Sequence, residues 1–431
     1  MSNHRMIILI LGLIIFIPVT AYASGYKDQY AGFPSIHIFS SIDPFTAERD
    51  LWHYSYIIIE SDVEGFSLFS TEIRLRGRGN STWVQGPDKR PLRFRFAEPL
   101  ELFGFGTAHR DWILLANHFD RSLLRNFTAL HLGSQLSGLD NTPRSKFVHL
   151  YVNGLYMGVY QLTDERDLGY GRTNILLHEN PAISEYMLEW DSRMRGEPNQ
   201  GLDWVLTSTD RPFEIRFPSG SASSYAHGEY VLNYLERVSF ALRSGNFEEF
   251  TNLVDIPAFV DFYLVQEFMK NPDVNFSSKF MTIRWINYER RLVMGPLWDF
   301  DLAAGSHRVF RPEEYDYSPY GITAAARNYW FRYAMKMPEL AEIVVNRWNE
   351  IRHNEIYGTI RKLEEIQVRY AADFDRNFER HQIMGTRVWG EPLGILAILT
   401  HEGQVAHLVD WLSRRAIWLD NHFNNLEITA K

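Results

Sequence analysis

The segment from Gly295 to Gly305, Gly-Pro-Leu-Trp-Asp-Phe-Asp-Leu-Ala-Ala-Gly, constrains this chain more than any other. It sets two aspartates one residue apart inside an apolar, aromatic run. Leu292, Val293 and Met294 lead into it, so the pair is expected at the end of a buried strand. Side chains alternate along a strand, so Asp299 and Asp301 would share one face while Trp298 and Phe300 take the other. Burying a carboxylate is costly unless it is paired or holds a cation. Two carboxylates on one face also repel, and a hard divalent cation such as Mg²⁺ would relieve both costs. A strand end with solvated acids, or with an arginine partner, is the competing reading. These residues alone leave both open.

Composition narrows the field. The 431 residues are 45% hydrophobic, 15% aromatic and 23% charged, which supports a large core and argues against global disorder. A net charge of -9 gives no support for nucleic-acid binding. Met6 to Val19 is an unbroken apolar run, short for a membrane span, and Ala21-Tyr22-Ala23 follows it with a small-x-small pattern. Residues 1–23 are therefore expected to be a signal peptide that exports the protein to the surface, the periplasm or the medium. The mature chain should carry no membrane span. With no cysteine, an exported form would rest on its core and not on disulfides.

Strand patterns dominate the first third. Phe33–Phe39 and Tyr54–Glu60 read as strands, and Phe66–Arg76 continues them. A turn rich in backbone donors comes next, Arg76-Gly77-Arg78-Gly79-Asn80-Ser81-Thr82-Trp83. Such a turn can cradle phosphate through main-chain N–H groups, although it matches neither a P-loop nor Gly-x-Gly-x-x-Gly and is also an ordinary hairpin loop pattern. In Lys89–Phe96, Leu92, Phe94 and Phe96 share one face, and Arg93 and Arg95 take the other. His109-Arg110-Asp111 imitates a kinase catalytic loop, but the required Asn position is Ala116. A helix is expected from Leu123 to about Leu136, capped by Asp120 or Ser122. Asn153-Gly154 marks a two-residue hairpin turn. Residues 165–255 are less regular.

Asp255 and Pro257 open a helix that runs to about Lys270 and stops at Pro272, directly before Asp273. Phe280–Trp285 reads as a strand, Glu289-Arg290-Arg291 as a turn, and the acidic segment closes the unit. Helical patterns fill Glu339–Tyr357, Thr359–Glu379 and Val405–Phe423. The order is helix, Asp273 loop, strand, turn, strand, Asp299-x-Asp301. Kinase-like enzymes use this order, with one Asp orienting the hydroxyl nucleophile and another holding Mg²⁺ on the nucleotide phosphates.

In order, the segments Arg76–Trp83, Lys89-Arg90-Pro91-Leu92-Arg93, Asp111–Asn117, Asp120–Asn126, Tyr151–Tyr160, Lys270-Asn271-Pro272-Asp273 and Gly295–Asp301 resemble the CotH kinase family of exported, atypical protein kinases. The resemblance implies an α+β, bilobal protein-kinase-like fold with a β-rich N-terminal lobe over 33–164. Residues 165–310 would form the catalytic core of a mainly helical C-terminal lobe, and 311–431 its helical extension. It implies transfer of the ATP γ-phosphate to Ser or Thr of spore-coat-type or other extracytoplasmic proteins, with Mg or Mn. By position, Asp273 would be catalytic. Asp299 would be a metal ligand, Asp301 a second ligand or a structural partner, and Asn275 a further candidate ligand. Phosphate contacts would come from Gly77, Gly79, Asn80 and Ser81 and from one of Lys89 and Arg93. Asp164 would sit near the adenine edge, and Asp120 would orient a basic side chain.

Two other readings compete. A structural coat or surface-binding protein could keep the fold without catalysis, and nucleotide-dependent stabilisation separates it from a kinase. A glycan hydrolase could use paired carboxylates, but Asp299 and Asp301 are too close in sequence for separate acid and nucleophile roles. No His-Glu-x-x-His and no Gly-x-Ser-x-Gly occurs.

Overall fold

Alternating apolar residues build the largest element of the computed structural model, which describes residues 32–61, 68–84, 89–106, 108–139, 141–164, 175–306 and 317–430. The proposed signal peptide and the lobe boundary near Glu165 lie outside them. Strands β1 (Ser35–Ser40), β2 (His53–Glu60), β3 (Leu68–Gly77), β4 (Leu92–Leu100), β5 (His109–Leu115), β6 (Ser145–Val152) and β7 (Leu155–Asp164) close into one barrel, in the order β1-β2-β3-β4-β5-β7-β6. Closure comes from a parallel pairing of β1 with β6, Ser35 opposite His149 and Ile38 opposite Val152. Closing the sheet removes its edges, which would otherwise leave a row of unpaired N–H and C=O groups. Ile36, Ile57, Ile73, Leu75, Phe94, Trp112, Leu150 and Tyr160 fill the interior.

Local signals in this region act as expected. Asn153 and Gly154 take left-handed φ of 49° and 80° in the tight turn between β6 and β7. The Asn153 side chain accepts from Ser40 N at 2.9 Å and donates to Ser40 O at 2.9 Å, which ties the turn to β1.

A second sheet follows. β8 (Tyr186–Trp190), β9 (Trp204–Leu206), β10 (Pro212–Phe217), β11 (Lys279–Ile286) and β12 (Glu289–Met294) are ordered β12-β11-β8-β10-β9. The barrel's outer face meets it: Ile113 and Leu115 of β5 pack with Met187, Phe280 and Trp298. Helices surround this sheet and the barrel, including Arg125–Gly133, Ile256–Phe268, Pro338–Ile351, Tyr357–Arg369, Ala371–Arg380 and His401–Ala430. Among the described residues, no helix is long and apolar enough to cross a membrane.

The expected α+β bilobal kinase-like fold is overturned. In place of a bilobal arrangement, the β-rich region expected as an N-terminal lobe closes into a seven-strand barrel, and the expected mainly helical lobe carries a five-stranded sheet. Alternation identifies a strand but not its partner, and closure depends on a pairing between strands more than a hundred residues apart in sequence. Smaller corrections share a cause in backbone geometry. Leu123 has a left-handed φ of 58°, so the helix expected from Leu123 starts at Arg125. Asn287 and Tyr288, at φ 49° and 66°, make the turn expected at Glu289-Arg290-Arg291, and those three residues belong to β12.

Candidate functional site

Asp273 sits where a helix has just ended. Asp255 caps the helix Ile256–Phe268, its Oδ1 accepting from Ala258 N at 2.9 Å. Lys270 turns the chain out with a left-handed φ of 46°. A single 3₁₀ turn, Pro272–Asn275, then holds Asp273, whose N–H donates to Asn271 Oδ1 at 3.1 Å. The Asn271 side chain also reaches the backbone O of Asp299 at 3.4 Å. One asparagine therefore fixes both acidic segments.

Asp299 and Asp301 are not on a strand. β12 ends at Met294, and Gly295-Pro296 ends the ladder because proline has no N–H to donate. Asp299 takes a left-handed φ of 69°, a conformation that costs a non-glycine residue roughly 1–3 kcal/mol and persists only where neighbours enforce it. The neighbours are visible. Ser278 Oγ donates to Asp299 Oδ2 at 2.9 Å, and Phe300 N donates to Asn126 Oδ1 at 2.7 Å. Arg125 Nε donates to Ala303 O at 3.0 Å, and Ala304 N donates to Met269 O at 2.7 Å. Asp120 anchors Arg125 in turn, with Oδ1 2.5 Å from Nη1 and both side chains buried. Asn126 donates to Asn117 Oδ1 at 3.0 Å, and Asn117 donates to Gln161 Oε1 at 2.9 Å on β7. A continuous polar chain thus runs from the barrel to the acidic loop.

The electrostatics are unfavourable without a counter-charge. Desolvation, followed by the charge of Asp299, pushes Asp273 up to about 7, against opposing pulls from Lys279 and Arg193. Asp301 is buried, and desolvation with the charges of Asp299, Asp273 and Asp120 holds it well above the usual carboxylate range. Lys279 is buried too, its ammonium 4.7 Å from the Trp190 ring centroid, and burial lowers it to about 7. Among the described residues, no lysine or arginine closes to an ion pair with Asp273, Asp299 or Asp301. An all-oxygen donor set in which two of the three carboxylates, Asp273 and Asp301, are desolvated fits a hard divalent cation.

A second acidic group lies alongside. Glu189, Asp191 and Glu214 place one ligand atom each within 4.8 Å of one another, and among the described residues this is the group of three or more that closes so tightly. Asp273, Asp299 and Asp301 do not close to that radius. Arginines already answer the second group: Arg216 pairs with Glu189 and, at 3.1 Å, with Glu214, and Arg193 pairs with Asp191 at 2.7 Å. Glu189 Oε1 also accepts from Ser278 N at 3.2 Å, so the network supports the residue that holds Asp299.

The remaining expected residues are spread out. Gly77 ends β3, Gly79 has φ 86°, and Asn80 and Ser81 lead into a short helical turn, with Arg49 Nη1 donating to Gly79 O at 2.9 Å. Arg78, within this turn, lies 5.4 Å over the Trp298 ring, next to Asp299. Arg93 faces outward on β4 and donates to Asp111 Oδ1 at 2.9 Å. Lys89 is buried, donating to Val159 O at 2.6 Å and Asn377 Oδ1 at 2.9 Å. Burial lowers it to about 7, and Asp120 opposes the shift, so Asp120 faces both Lys89 and Arg125. Asp164 Oδ1 accepts from Arg144 N at 2.9 Å and closes a barrel corner. The side chain of Asn275 lies outside the described ones.

Sequence reasoning missed Lys279; it named Ser278, with Asn275, as a candidate polar residue after Asp273, and it held Arg125 and Asn126 only as members of the Asp120–Asn126 segment, without roles of their own. Lys279 follows the Asp273 loop directly, and its position before a strand was the available signal. Nothing in the spacing of Arg125 and Asn126 points 174 residues onward to Phe300.

Among curated proteins, no sequence matches the chain. A family model does, over residues 73–419, and its description is CotH kinase protein. That span runs from β3 through the acidic loop into the last long helix, and by it the chain belongs to the CotH kinase family.

Proposed function

We propose that the protein is an active, exported kinase that transfers the ATP γ-phosphate to a Ser or Thr hydroxyl of extracytoplasmic, coat-type proteins. The observation that carries this is the gathering of Asp273, Asp299 and Asp301, with desolvation raising Asp273 and Asp301 and with no ion-pair partner for any of the three among the described residues. Family membership supports use of a nucleotide and a divalent metal in general.

The chain's own groups divide the work. Asp299 and Asp301 would hold Mg²⁺ or Mn²⁺, with Asn275 a further candidate from the adjoining turn. When bound, the metal supplies charge neutralisation at the nucleotide phosphates. Asp273, raised toward neutrality, orients the acceptor hydroxyl and takes its proton. The bond from γ-phosphorus to the β-bridging oxygen breaks, a bond from phosphorus to the acceptor oxygen forms, and ADP leaves. Lys279, buried beside Asp273, pulls the Asp273 carboxyl back down in its protonated form. The Gly77–Ser81 turn and Arg78 approach from the barrel side, and one of Lys89 and Arg93 offers a cation. Asp164, whose Oδ1 accepts from the backbone N–H of Arg144, would contact the cofactor near the adenine edge. Residues 1–23 direct export, and the described site then works outside the cytoplasm.

The test uses purified protein, γ-labelled ATP and Mn²⁺ or Mg²⁺. Label should appear on the protein itself or on a Ser-rich peptide in the wild type and be lost in Asp273→Ala and Asp299→Ala. Equal labelling in all three would discard the site. No labelling and no nucleotide-dependent stabilisation in the wild type would leave a binding or coat protein.

A further inference from the structure

Beyond the acidic loop the chain opens a cavity of about 410 Å³, lined by Gly305, by Tyr317–Pro319, by residues between Arg387 and Ile395, and by His407, Trp411 and Arg414 of the last helix. Its volume falls in the range of specific binding pockets, roughly 300–1,000 Å³. Three observations give it a chemistry.

First, the charge that the described residues give it is cationic. Among the described residues, two acids near its wall are already answered: Glu391 Oε1 lies 2.5 Å from Arg121 Nη1 with both side chains buried, and Asp410 pairs with Arg414. Arg387 is exposed and, among the described residues, makes no ion pair. His407 Nδ1 is buried without a hydrogen-bond partner. Second, the surface has an apolar side that continues past the rim. Trp411 is 3% exposed and Leu393 is 76% exposed, so a ligand can extend beyond the hollow. Third, the wall adjoins the loop that carries Asp299 and Asp301. Gly305 has φ 71°, and a Cβ there would fall 2.6 Å from Trp411 Nε1 and 2.8 Å from Tyr317 O. Trp411 Nε1 itself donates to Tyr317 O at 3.0 Å.

We propose that this cavity docks the acceptor polypeptide through an acidic residue set beside an apolar one, the carboxylate against Arg387 and the apolar side chain over Trp411 and Leu393. A polypeptide fits better than a small anion because the contact surface runs past the cavity mouth and leads toward the phosphotransfer loop. The proposal rests on the kinase reading above and supplies its substrate class.

Two substitutions probe it without touching the acidic loop. Gly394→Phe fills the cavity, and a Cβ at Gly394 meets nothing within 4 Å, so the fold should tolerate it. Arg387→Glu reverses the exposed charge. Fluorescein-labelled, Ser-centred peptide pools, one flanked by Asp, Glu and Leu and one by Lys, Arg and Leu, are titrated by anisotropy without nucleotide. The wild type should bind the acidic pool at least fivefold tighter, and both variants should lose that preference. In phosphotransfer, KM for the acidic pool should rise at least fivefold in Arg387→Glu while kcat and KM for ATP hold. Equal binding of the two pools, or a preference that survives both variants, overturns the proposal. Displacement of the acidic pool by millimolar inorganic phosphate also overturns it, in favour of a small-anion site. A wild type that binds the acidic pool through Arg387 but labels nothing sinks the kinase reading and leaves the docking site standing.

Discussion

The barrel and the acidic loop are held together in opposite ways. The barrel is an apolar interior wrapped by a continuous ladder of backbone hydrogen bonds, with residues such as Ile36, Ile57, Phe94 and Trp112 sealed inside. The acidic loop has almost no regular structure between Gly295 and Ser306, and side chains reaching in from elsewhere fix its shape. Asn271, Ser278, Asn126 and Arg125 each spend a hydrogen bond on it. The barrel should therefore fail by losing stability, and the loop by losing chemistry. Substitutions in the two regions should separate these outcomes.

The largest effect is expected from Asp273→Asn. Removing a positioned acid or base typically costs about 10²–10⁴-fold in rate, and phosphotransfer should fall by that much. Stability should move the other way. The folded pKa of Asp273 is raised above the ordinary carboxylate value, so the folded chain binds more protons than the unfolded one between roughly pH 4 and pH 7. This group's contribution is therefore favourable below that window and is lost as pH rises through about 7. Metal-free Asp273→Asn should match the wild type near pH 4 and exceed its unfolding free energy by roughly 1–3 kcal/mol at pH 8, measured by urea titration at both pH values.

Trp112→Ala makes the contrast from the barrel side. It empties a large, fully buried site and should cost about 3–5 kcal/mol, seen as a lower urea midpoint, with little change in the activity of the fraction still folded. An activity loss well beyond the unfolded fraction would mean that the two regions are not separable.

The connection between them is testable at Asn126. Asn126→Ala breaks the link from Gln161 through Asn117 to Phe300 N and leaves that buried N–H unsatisfied, at about 1–3 kcal/mol. If the link mainly shapes the loop, the affinity for Mn²⁺ should fall along with stability. If it mainly serves the barrel, only stability should fall.

The same contrast explains what the sequence could tell. Period-two alternation in Leu92–Phe96 and the Asn153-Gly154 turn are local signals, and the structure follows them. The Asp255 cap is another. Barrel closure was hidden, since β1 and β6 find each other only after the chain has folded back. β8, Tyr186–Trp190, escaped because all five residues are buried and show no alternation. In the site, the three aspartates stood out as acids in apolar surroundings. The expectation that Asp299 and Asp301 share a strand face failed because a left-handed residue at Asp299 leaves no signature in a non-glycine sequence. Lys279 was invisible for a related reason, because its surroundings are chosen by the tertiary fold; for Arg125 only the reach to Ala303 was hidden, since Asp120 was expected to orient a basic side chain.

The smallest expected effect comes from Lys279→Met. It removes a buried cation whose pKa is depressed to about 7, so the variant should lose the rise in stability that the wild type gains between about pH 7 and pH 10. Urea midpoints across that range measure it. An unchanged pH profile would mean that Lys279 keeps its ordinary titration in the folded protein.

The most direct measurement is Mn²⁺ binding, followed by electron paramagnetic resonance in the presence of a non-hydrolysable ATP analogue. Wild type and Glu189→Gln should bind the ion, and Asp299→Asn and Asp301→Asn should bind it far more weakly. Binding that survives in both aspartate variants but disappears in Glu189→Gln would move the cation to the Glu189–Asp191–Glu214 group and contradict a phosphotransfer centre built on the acidic loop.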